Sequence, residues 1–431
     1  MFINGGNGWQ DKQIIFERLT YPTMNRFNFI VTLLLSAFLL IVECQHCANI
    51  NDESLQSILQ NILNYNSVPS IAAAIVKNDT IFAAAAVGKR ISLPQKQQQT
   101  QQNVTLCDRY HLGSDTKAFT SLLVGMMVEE GRITWNSTLG NIFNKEDADV
   151  YVLPDSDYAK ITMVQLLSHT SGLPFDDILP SFNKLVNETY FQPGNLDNAR
   201  RIIFKKGMTT IPVNKTQIGS FAYSNFGYMI VGTVLEYLTN TTWEQLVTER
   251  IFTPLNFQNA GIGCQVLPGT IDAPLPHVRN DDGVIDYYLS GPNCDNPLVM
   301  GPAGTAHMSI LDFAEWARFQ LNNGTTVQPL IASPETVMYL HEQVVTMEIA
   351  DPAPGTPPSG GYAKGWGIIT PAFSNNETLL FHGGSNGKNL AYIILDMKKQ
   401  YGLVIVTNMG GEYADAVMKN ATETLWKFST S

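Results

Sequence analysis

The sequence is poor in positive charge and contains no basic stripe that could follow a nucleic-acid backbone. Its 27 lysines and arginines stand against 38 aspartates and glutamates, so the formal net charge is −11. Because nucleic-acid binding depends on concentrated positive charge, we expect no nucleic-acid partner. Charged residues make up only 15% of the chain and apolar residues 44%, which is typical of a globular protein. The length of 431 residues allows one large two-part domain or two domains.

The sequence patterns of metal sites are also missing. The seven histidines include no His-Glu-x-x-His pair and show no other ligand spacing. Cys44 and Cys47 form a Cys-x-x-Cys pair, but they flank a predicted cleavage point and do not fit a zinc or redox site. We therefore expect no metal and no cofactor.

Long apolar runs are absent except for one near the N-terminus. Phe29–Val42 is almost continuously apolar, with Arg26 before it and Glu43 after it. This run is short for a bilayer span and suits the core of a signal peptide. The favoured prediction is a signal peptide within residues 1–44, for which Met24 is a more natural start than Met1. An uncleaved signal anchor and a buried core helix are the alternatives. A signal peptide and a signal anchor both place the rest of the chain in the secretory pathway. The protein would then be secreted, lumenal, or anchored in the membrane with its catalytic domain outside.

Sequons and cysteines fit that compartment. Nine Asn-x-Ser/Thr sequons are glycosylation candidates: Asn78, Asn103, Asn136, Asn187, Asn214, Asn240, Asn323, Asn376 and Asn420. Of the five cysteines, four remain if cleavage removes Cys44, and four cysteines allow three pairings. We favour the pairs Cys264–Cys294 and Cys47–Cys107.

Apolar periodicity predicts the order of the secondary structure. The segments expected to be regular are a helix containing Leu55, Ile58, Leu59 and Ile62, a hairpin of Ile71–Val76 and Thr80–Val87, strands at Gly365–Thr370, Thr378–Phe381, Leu390–Asp396 and Leu403–Asn408, and a helix at Ala414–Phe428. This order indicates an antiparallel sheet built from both ends of the chain. We predict a sheet subdomain of residues 45–137 and 305–431, interrupted by a mostly helical subdomain of residues 138–304.

A Ser-x-x-Lys tetrad, Ser114–Lys117, opens an amphipathic helical run that ends near Gly131. Positions i and i+3 of a helix share a face, so the lysine amine can lie beside the serine hydroxyl. A neutral lysine there can remove the hydroxyl proton and make the serine a nucleophile. The tetrad alone is a weak signal, because Ser181–Lys184 and Ser385–Lys388 also match it. A helix-capping serine with a solvated lysine is the ordinary alternative.

Two further motifs follow the tetrad. Tyr223-Ser224-Asn225 is the only Tyr-x-Asn in the chain and precedes a second apolar helical run. His382-Gly383-Gly384-Ser385 lies between two strand-like runs, and a glycine pair at a strand end lets a ligand approach the backbone closely. Gly383–Gly387 also fits the Gly-x-Ser-x-Gly elbow of α/β-hydrolases. That interpretation fails, because a strand follows the elbow and no histidine lies beyond His382.

In this order the three motifs resemble those of the serine β-lactamase and penicillin-binding-protein superfamily, in the branch of class C β-lactamases, DD-peptidases and esterases. The resemblance covers most of the chain after about residue 52. It includes Val68–Val76, Leu166–Pro174, Gly301–Gly304 and Gly365–Gly367. It implies an α+β fold, with an antiparallel sheet flanked by helices and an inserted helical subdomain. It also implies a serine hydrolase that forms an acyl-enzyme on Ser114.

The resemblance also implies a role for each site residue. Lys117 would act as the base, Tyr223 as a proton shuttle, and Asn225 as a partner of Lys117 and of a substrate amide. The Ser385 and Ser114 N–H groups would form an oxyanion hole, beside Gly383 and Gly384. His382 would donate to a substrate carboxylate or carbonyl, and its charge would change near neutral pH.

One departure from the family pattern bears on substrates. His-Gly-Gly stands where true β-lactamases carry Lys-Thr-Gly, whose lysine and threonine engage the substrate carboxylate. The departure predicts better turnover of small esters, amides or peptides than of β-lactams. An inactive or assembly-forming scaffold on the same fold is the second hypothesis. The oligomeric state is left open.

Overall fold

The main sheet of the protein takes its strands from both ends of the chain, as the sequence predicts. The computed structural model describes residues 52–92, 102–143, 156–175, 196–291, 293–348 and 359–430. The predicted signal segment, Cys47, Asn187 and Ser181–Lys184 lie outside these ranges. Within the ranges, every helix is too short or too polar to span a bilayer.

The strands of the described residues are β1 (Ser70–Lys77), β2 (Thr80–Gly88), β3 (Arg109–His111), β4 (Ala260–Ile262), β5 (His277–Arg279), β6 (Ile285–Tyr287), β7 (Ala306–Ser309), β8 (Val345–Glu348), β9 (Ser359–Tyr362), β10 (Gly367–Ile369), β11 (Leu379–Ser385), β12 (Leu390–Asp396), β13 (Tyr401–Thr407) and β14 (Met409–Gly410). The helices are α1 (Glu53–Tyr65), α2 (Thr116–Glu129), α3 (Leu139–Ile142), α4 (Met163–Leu167), α5 (Leu196–Thr210), α6 (Asn225–Thr239), α7 (Trp243–Val247), α8 (Gly301–Gly304), α9 (Ile310–Leu321), α10 (Pro334–His341) and α11 (Glu412–Thr430).

The eight-stranded sheet has the order β2-β1-β13-β12-β11-β10-β9-β8. The N-terminal hairpin turns at Asn78, whose φ of 54° is left-handed. Its strand β1 pairs antiparallel with β13, so that Ile71 lies opposite Thr407. This pairing of distant segments confirms the sheet that the sequence order indicates.

Both faces of the central strands are covered, which explains their continuous apolar sequences. Ile71 and Ile75 of β1 pack in the same core as Leu59 of α1 and Met418 of α11. On the opposite face α9 packs against β1 and β13. Because every residue of β12 and β13 is buried, these strands form a rigid support for the neighbouring strand β11.

Helix α2 is the central helix among those that pack beside the sheet. Its residues from Thr116 to Met127 are all buried, and it packs against α6 and α8. A buried ion-pair triad joins the surrounding helices: Nη2 of Arg200 lies 2.6 Å from Glu236 Oε1 and 2.6 Å from Glu244 Oε2. Burial of such a charge is tolerated because the guanidinium is paired on both sides.

The fold class is confirmed, with differences in detail. Region 138–304 contains the short strands β4, β5 and β6, which are too short to show an alternating pattern. Strand β11 continues beyond Phe381 to Ser385, because His382–Ser385 pair with Leu390–Ile393 of β12. The His-Gly-Gly-Ser motif therefore lies within a strand. The subdomain boundaries stay a prediction.

Candidate active site

Ser114 and Lys117 are neighbours in the structure. Ser114 lies in a short 3-10 turn, Gly113–Asp115, and Lys117 is the second residue of α2. The predicted first helical turn is thus a tighter turn that leads into the helix. Lys117 Nζ lies 3.1 Å from Ser114 Oγ. At the other end, Gly131 follows the helix with a φ of 69°, as expected for a C-terminal glycine.

The Lys117 side chain is fully buried, and its amine lies near the Ser114 hydroxyl and near two carbonyl oxygens. It lies 2.7 Å from Asn225 Oδ1 and 2.7 Å from the carbonyl oxygen of Ala303. Both are carbonyl-type acceptors that cannot donate. The amine can donate to both of them, and it lies within hydrogen-bonding distance of the Ser114 hydroxyl. The Ala303 carbonyl was missed from the sequence, because a backbone acceptor has no side-chain motif.

The Tyr-Ser-Asn motif meets the tetrad through the start of α6. Ser224 caps the helix by accepting from the Gly227 N–H at 3.2 Å, which leaves Asn225 as the first helical residue. The ring of Tyr223 has its centroid 4.7 Å from Lys117 Nζ. It packs on His169 at 4.3 Å, and Nδ1 of His169 accepts from the Ser224 N–H at 3.0 Å. The two sequence motifs therefore form one cluster, as predicted.

The glycine of the third motif is required by a close backbone contact. A Cβ atom on Gly384 would lie 1.8 Å from the Leu112 carbonyl oxygen and 2.9 Å from the Ser114 nitrogen. A Cβ atom on Gly113, whose φ is 51°, would lie 2.2 Å from the Ser385 nitrogen. Strand β11 thus runs directly against the turn that carries Ser114. The two amides predicted to form an oxyanion hole belong to these touching backbones.

The Ser385 side chain is exposed and makes a local hydrogen bond within the turn that follows β11. Its hydroxyl accepts from the Gly387 N–H at 2.9 Å. Of the two Ser-x-x-Lys serines in the described residues, Ser114 is the one with a lysine amine beside it.

His382 is buried on the inner side of β11, only 5% exposed. Its Nδ1 lies 3.1 Å from the Gly383 carbonyl oxygen and its Nε2 lies 3.0 Å from the Tyr362 hydroxyl. Burial, reinforced by the nearby Lys117 charge, lowers the pKa of His382 to about 3. The imidazole is therefore neutral near pH 7, and the predicted charge change near neutral pH is wrong. For His382 to contact a substrate as predicted, its Nε2 would have to give up the hydrogen bond with the Tyr362 hydroxyl.

The chain matches the Beta-lactamase family over residues 55–425. It belongs to that family. A curated relative, Protein flp of Staphylococcus aureus strain MW2, is 24% identical over 381 residues, which are 86% of this chain and 66% of flp. This chain therefore spans slightly less than two thirds of that relative's length.

Solved structures agree on the fold. The octameric penicillin-binding protein homologue from Pyrococcus abyssi has a TM-score of 0.66 and 21% identity, covering 86% of this chain and 76% of that protein. The D-amino acid amidase from Ochrobactrum anthropi SV3, complexed with L-phenylalanine, has a TM-score of 0.65 and 16% identity, covering 88% and 99%. At these identities the similarity shows a β-lactamase-type fold.

Asp115, an x position of the family tetrad, is a buried carboxyl that the sequence did not single out. It is 1% exposed, and neither carboxyl oxygen has a hydrogen-bond partner within the described residues. Its Oδ1 lies 3.5 Å from His382 Nδ1. Burial raises the pKa of Asp115 well above its usual value, and the Lys117 charge opposes that shift. Its surroundings therefore disfavour the ionised carboxylate.

The predicted disulfide between Cys264 and Cys294 is present. Cys107 is also disulfide-bonded, but Cys47 lies outside the described ranges, so that pairing stays a prediction. Eight of the sequon asparagines are described; Asn323 is half-buried, and the others are exposed: Asn78, Asn103, Asn136, Asn214, Asn240, Asn376 and Asn420. In the part of the chain that the structure describes, no cluster of three or more His, Cys, Asp or Glu side chains could hold a metal ion.

Proposed function

We propose that this β-lactamase family member is a serine hydrolase that forms an acyl-enzyme on Ser114 and then hydrolyses it. The observation that carries the proposal is the position of the Lys117 amine. It lies 3.1 Å from Ser114 Oγ and 2.7 Å from each of two carbonyl oxygens, which can accept its N–H groups. In its neutral form, an amine at this distance can take the hydroxyl proton without a histidine.

In the acylation step, Ser114 Oγ bonds to the substrate carbonyl carbon as its proton passes to Lys117. The carbonyl oxygen becomes an oxyanion, for which the Ser114 and Ser385 N–H groups are the proposed donors. Collapse of this intermediate breaks the bond to the leaving group. The leaving group takes its proton from Lys117 through the Tyr223 hydroxyl. Water then attacks the carbonyl carbon of the ester on Ser114 and passes a proton to the same relay. The bond from that carbon to Ser114 Oγ breaks, Oγ takes the proton back, and the acid is released.

We propose neutral esters and amides of small size as the substrate class. His382 stands where β-lactamases carry a lysine, and its buried, neutral imidazole supplies no cation for a substrate carboxylate. The similar protein from Ochrobactrum anthropi is a D-amino acid amidase, which is consistent with amide chemistry on this fold. A secreted or lumenal location is part of the proposal, supported by the disulfide and by the seven exposed sequons.

A serine-reactive fluorophosphonate tests the proposal directly. The purified protein should become labelled, with the adduct on the tryptic peptide that contains Ser114. Ser114→Ala should reduce labelling by at least about 10³-fold, whereas Ser57→Ala, an exposed serine on α1, should label like the unmodified protein. Absence of labelling in the unmodified, folded protein would support the scaffold hypothesis instead. An adduct on another serine would show that this serine, and not Ser114, is the nucleophile.

A further inference from the structure

Three consecutive residues, Cys294-Asp295-Asn296, contact three different segments of the chain around Ser114. We call them the 294–296 segment. Asn296 Nδ2 donates to the Gly304 carbonyl oxygen at 2.7 Å. The Cys294 carbonyl oxygen accepts from Asn386 Nδ2 at 3.1 Å. The third contact runs from Asp295 through a histidine to the residue before Ser114.

His111 makes that third contact, and its surroundings determine which nitrogen carries the proton. It is fully buried, with Nε2 2.5 Å from Asp295 Oδ1. The Gly113 N–H donates to Nδ1 at 3.0 Å. Because Nδ1 accepts, the ring proton is on Nε2, which donates to Asp295. The carboxylate thus holds the tautomer that the Gly113 amide needs, as in other carboxylate–histidine pairs.

Each of the three contacted segments carries a group of the proposed chemistry. Gly113 precedes Ser114 and has a left-handed φ of 51°, so its amide plane orients the turn that presents the nucleophile. Gly304 follows Ala303, whose carbonyl oxygen accepts from Lys117. Asn386 follows Ser385, whose amide is a proposed oxyanion donor. The 294–296 segment therefore touches the supports of the nucleophile, the base and the oxyanion hole together.

The 294–296 segment is itself held firmly. Cys294 is buried and disulfide-bonded to Cys264, which follows strand β4. Strand β4 pairs with β7, and β7 pairs with β3, the strand that ends at His111. The Asn296 N–H also donates to Asp295 Oδ1 at 2.7 Å. The segment is thus fixed to the same small sheet that delivers Ser114.

We propose that Asp295, acting through His111, and Asn296 are positioning residues for acyl transfer. They hold the Gly113 and Gly304 backbones so that the oxyanion donors and the acceptor for Lys117 are in place before substrate binds. This inference rests on the proposed hydrolase function and deepens it. A displacement of about 1 Å at such a site can lower the rate of the chemical step by about 100-fold, so the effect should appear in kcat.

Two substitutions of His111 separate its two hydrogen bonds. In His111→Asn, the amide oxygen can take the place of Nδ1 and accept from the Gly113 N–H. In His111→Gln, the longer side chain can reach Asp295, but the Gly113 N–H loses its acceptor. We expect His111→Gln to lower kcat for a short p-nitrophenyl ester by about 10- to 100-fold, with KM changed less than about threefold. His111→Asn should recover most of kcat.

Hydrogen exchange gives a measurement that does not depend on activity. The Gly113 amide should exchange slowly in the unmodified protein and in His111→Asn, and faster in His111→Gln. Asn296→Ala, at a half-buried position, is the second variant if His111→Gln does not fold, and it should show the same loss in kcat with KM preserved.

The outcomes distinguish the inference from the proposed function. If the unmodified protein is not labelled on Ser114, the hydrolase proposal fails. If it is labelled, but His111→Asn, His111→Gln and Asn296→Ala all turn over the ester at the unmodified rate, the positioning role is wrong. Equal kcat losses in the two His111 variants, with equal falls in Tm, would also overturn it and leave His111 a purely structural residue.

Discussion

The Tyr362 hydroxyl lies 3.0 Å from Nε2 of His382 and donates to it, because Nδ1 of the same ring faces the Gly383 carbonyl oxygen. Both nitrogens of His382 are therefore engaged inside the protein. A tyrosine on β9 thus holds one nitrogen of a histidine on β11, although the two are 20 residues apart in the sequence.

The burial of His382 predicts a substrate preference that does not change with pH. The folded-state pKa of His382 is lowered to about 3, so the ring loses its proton as pH rises through about 3 and stays neutral above it. Between pH 5 and 8, the ratio of kcat/KM for a short p-nitrophenyl ester to that for nitrocefin should vary less than about twofold through His382. The ester should be preferred throughout. A preference for nitrocefin that grows as pH falls, and that His382→Gln abolishes, would show a titrating His382.

Lys117 and Tyr223 should act as one proton relay. The Lys117 amine is 4.7 Å from the centroid of the Tyr223 ring, so the two groups can serve the same leaving group and water. Lys117→Met alone should lower kcat by about 10³-fold. The double variant Lys117→Met/Tyr223→Phe should be only slightly slower than the slower single variant, because members of one relay are not additive. Losses that multiply fully in ester hydrolysis would show that the two residues act in separate steps.

Asp115 should tolerate replacement by its neutral isostere. Its pKa is raised well above the usual value because the side chain is buried, and both oxygens lack a hydrogen-bond partner in the described part of the chain. Burial disfavours the charged carboxylate, and an amide has the same shape without the charge, so Asp115→Asn should keep kcat/KM within about threefold. The same assay on Asp115→Leu, which has no polar atoms, shows whether filling the space at this position is sufficient. A loss of about 100-fold in Asp115→Asn alone would mean that the ionised carboxylate is needed.

Gly384 and Gly383 form a matched pair for testing the backbone contact at Ser114. A Cβ atom on Gly384 would lie 1.8 Å from the Leu112 carbonyl oxygen, whereas one on Gly383 would meet its first neighbour, a Phe381 ring carbon, at 3.1 Å. Gly384→Ala should therefore abolish fluorophosphonate labelling and lower the free energy of unfolding by about 2–4 kcal/mol, since backbone must move. Gly383→Ala should cost less than about 1.5 kcal/mol. Similar denaturation midpoints for the two variants would contradict this geometry.

Glycosylation should report the compartment. Seven described sequon asparagines are exposed, so several can accept a glycan in the secretory pathway. Peptide-N-glycosidase treatment of the natural protein should lower its apparent mass on a gel, with deamidation to aspartate at the modified sequons in mass spectrometry. A chain from its native host that shows no mass change and is recovered from the cytosol would overturn the proposed location.

Local patterns alone predicted much of this protein. The spacing of Leu55, Ile58, Leu59 and Ile62 predicted helix α1, and the apolar run Leu390–Asp396 predicted β12 with its observed ends. Likewise, the three-residue spacing of Ser114 and Lys117 predicted their contact, because a helical or 3-10 turn returns to the same face within one turn. These features depend on interactions between residues close in the chain.

Tertiary structure alone decided the rest of the site. The Ala303 carbonyl beside Lys117, the burial of Asp115 and His382, and the Asp295 contact to His111 each join segments far apart in the sequence. Any residue type can supply a backbone carbonyl, so the sequence does not mark it. The sequence also does not show whether a histidine faces solvent or a tyrosine. Its charge depends on the free energy of desolvation, which packing determines. Sequence therefore identified which groups could react, and the fold determined which of them are held neutral, oriented and shielded from water.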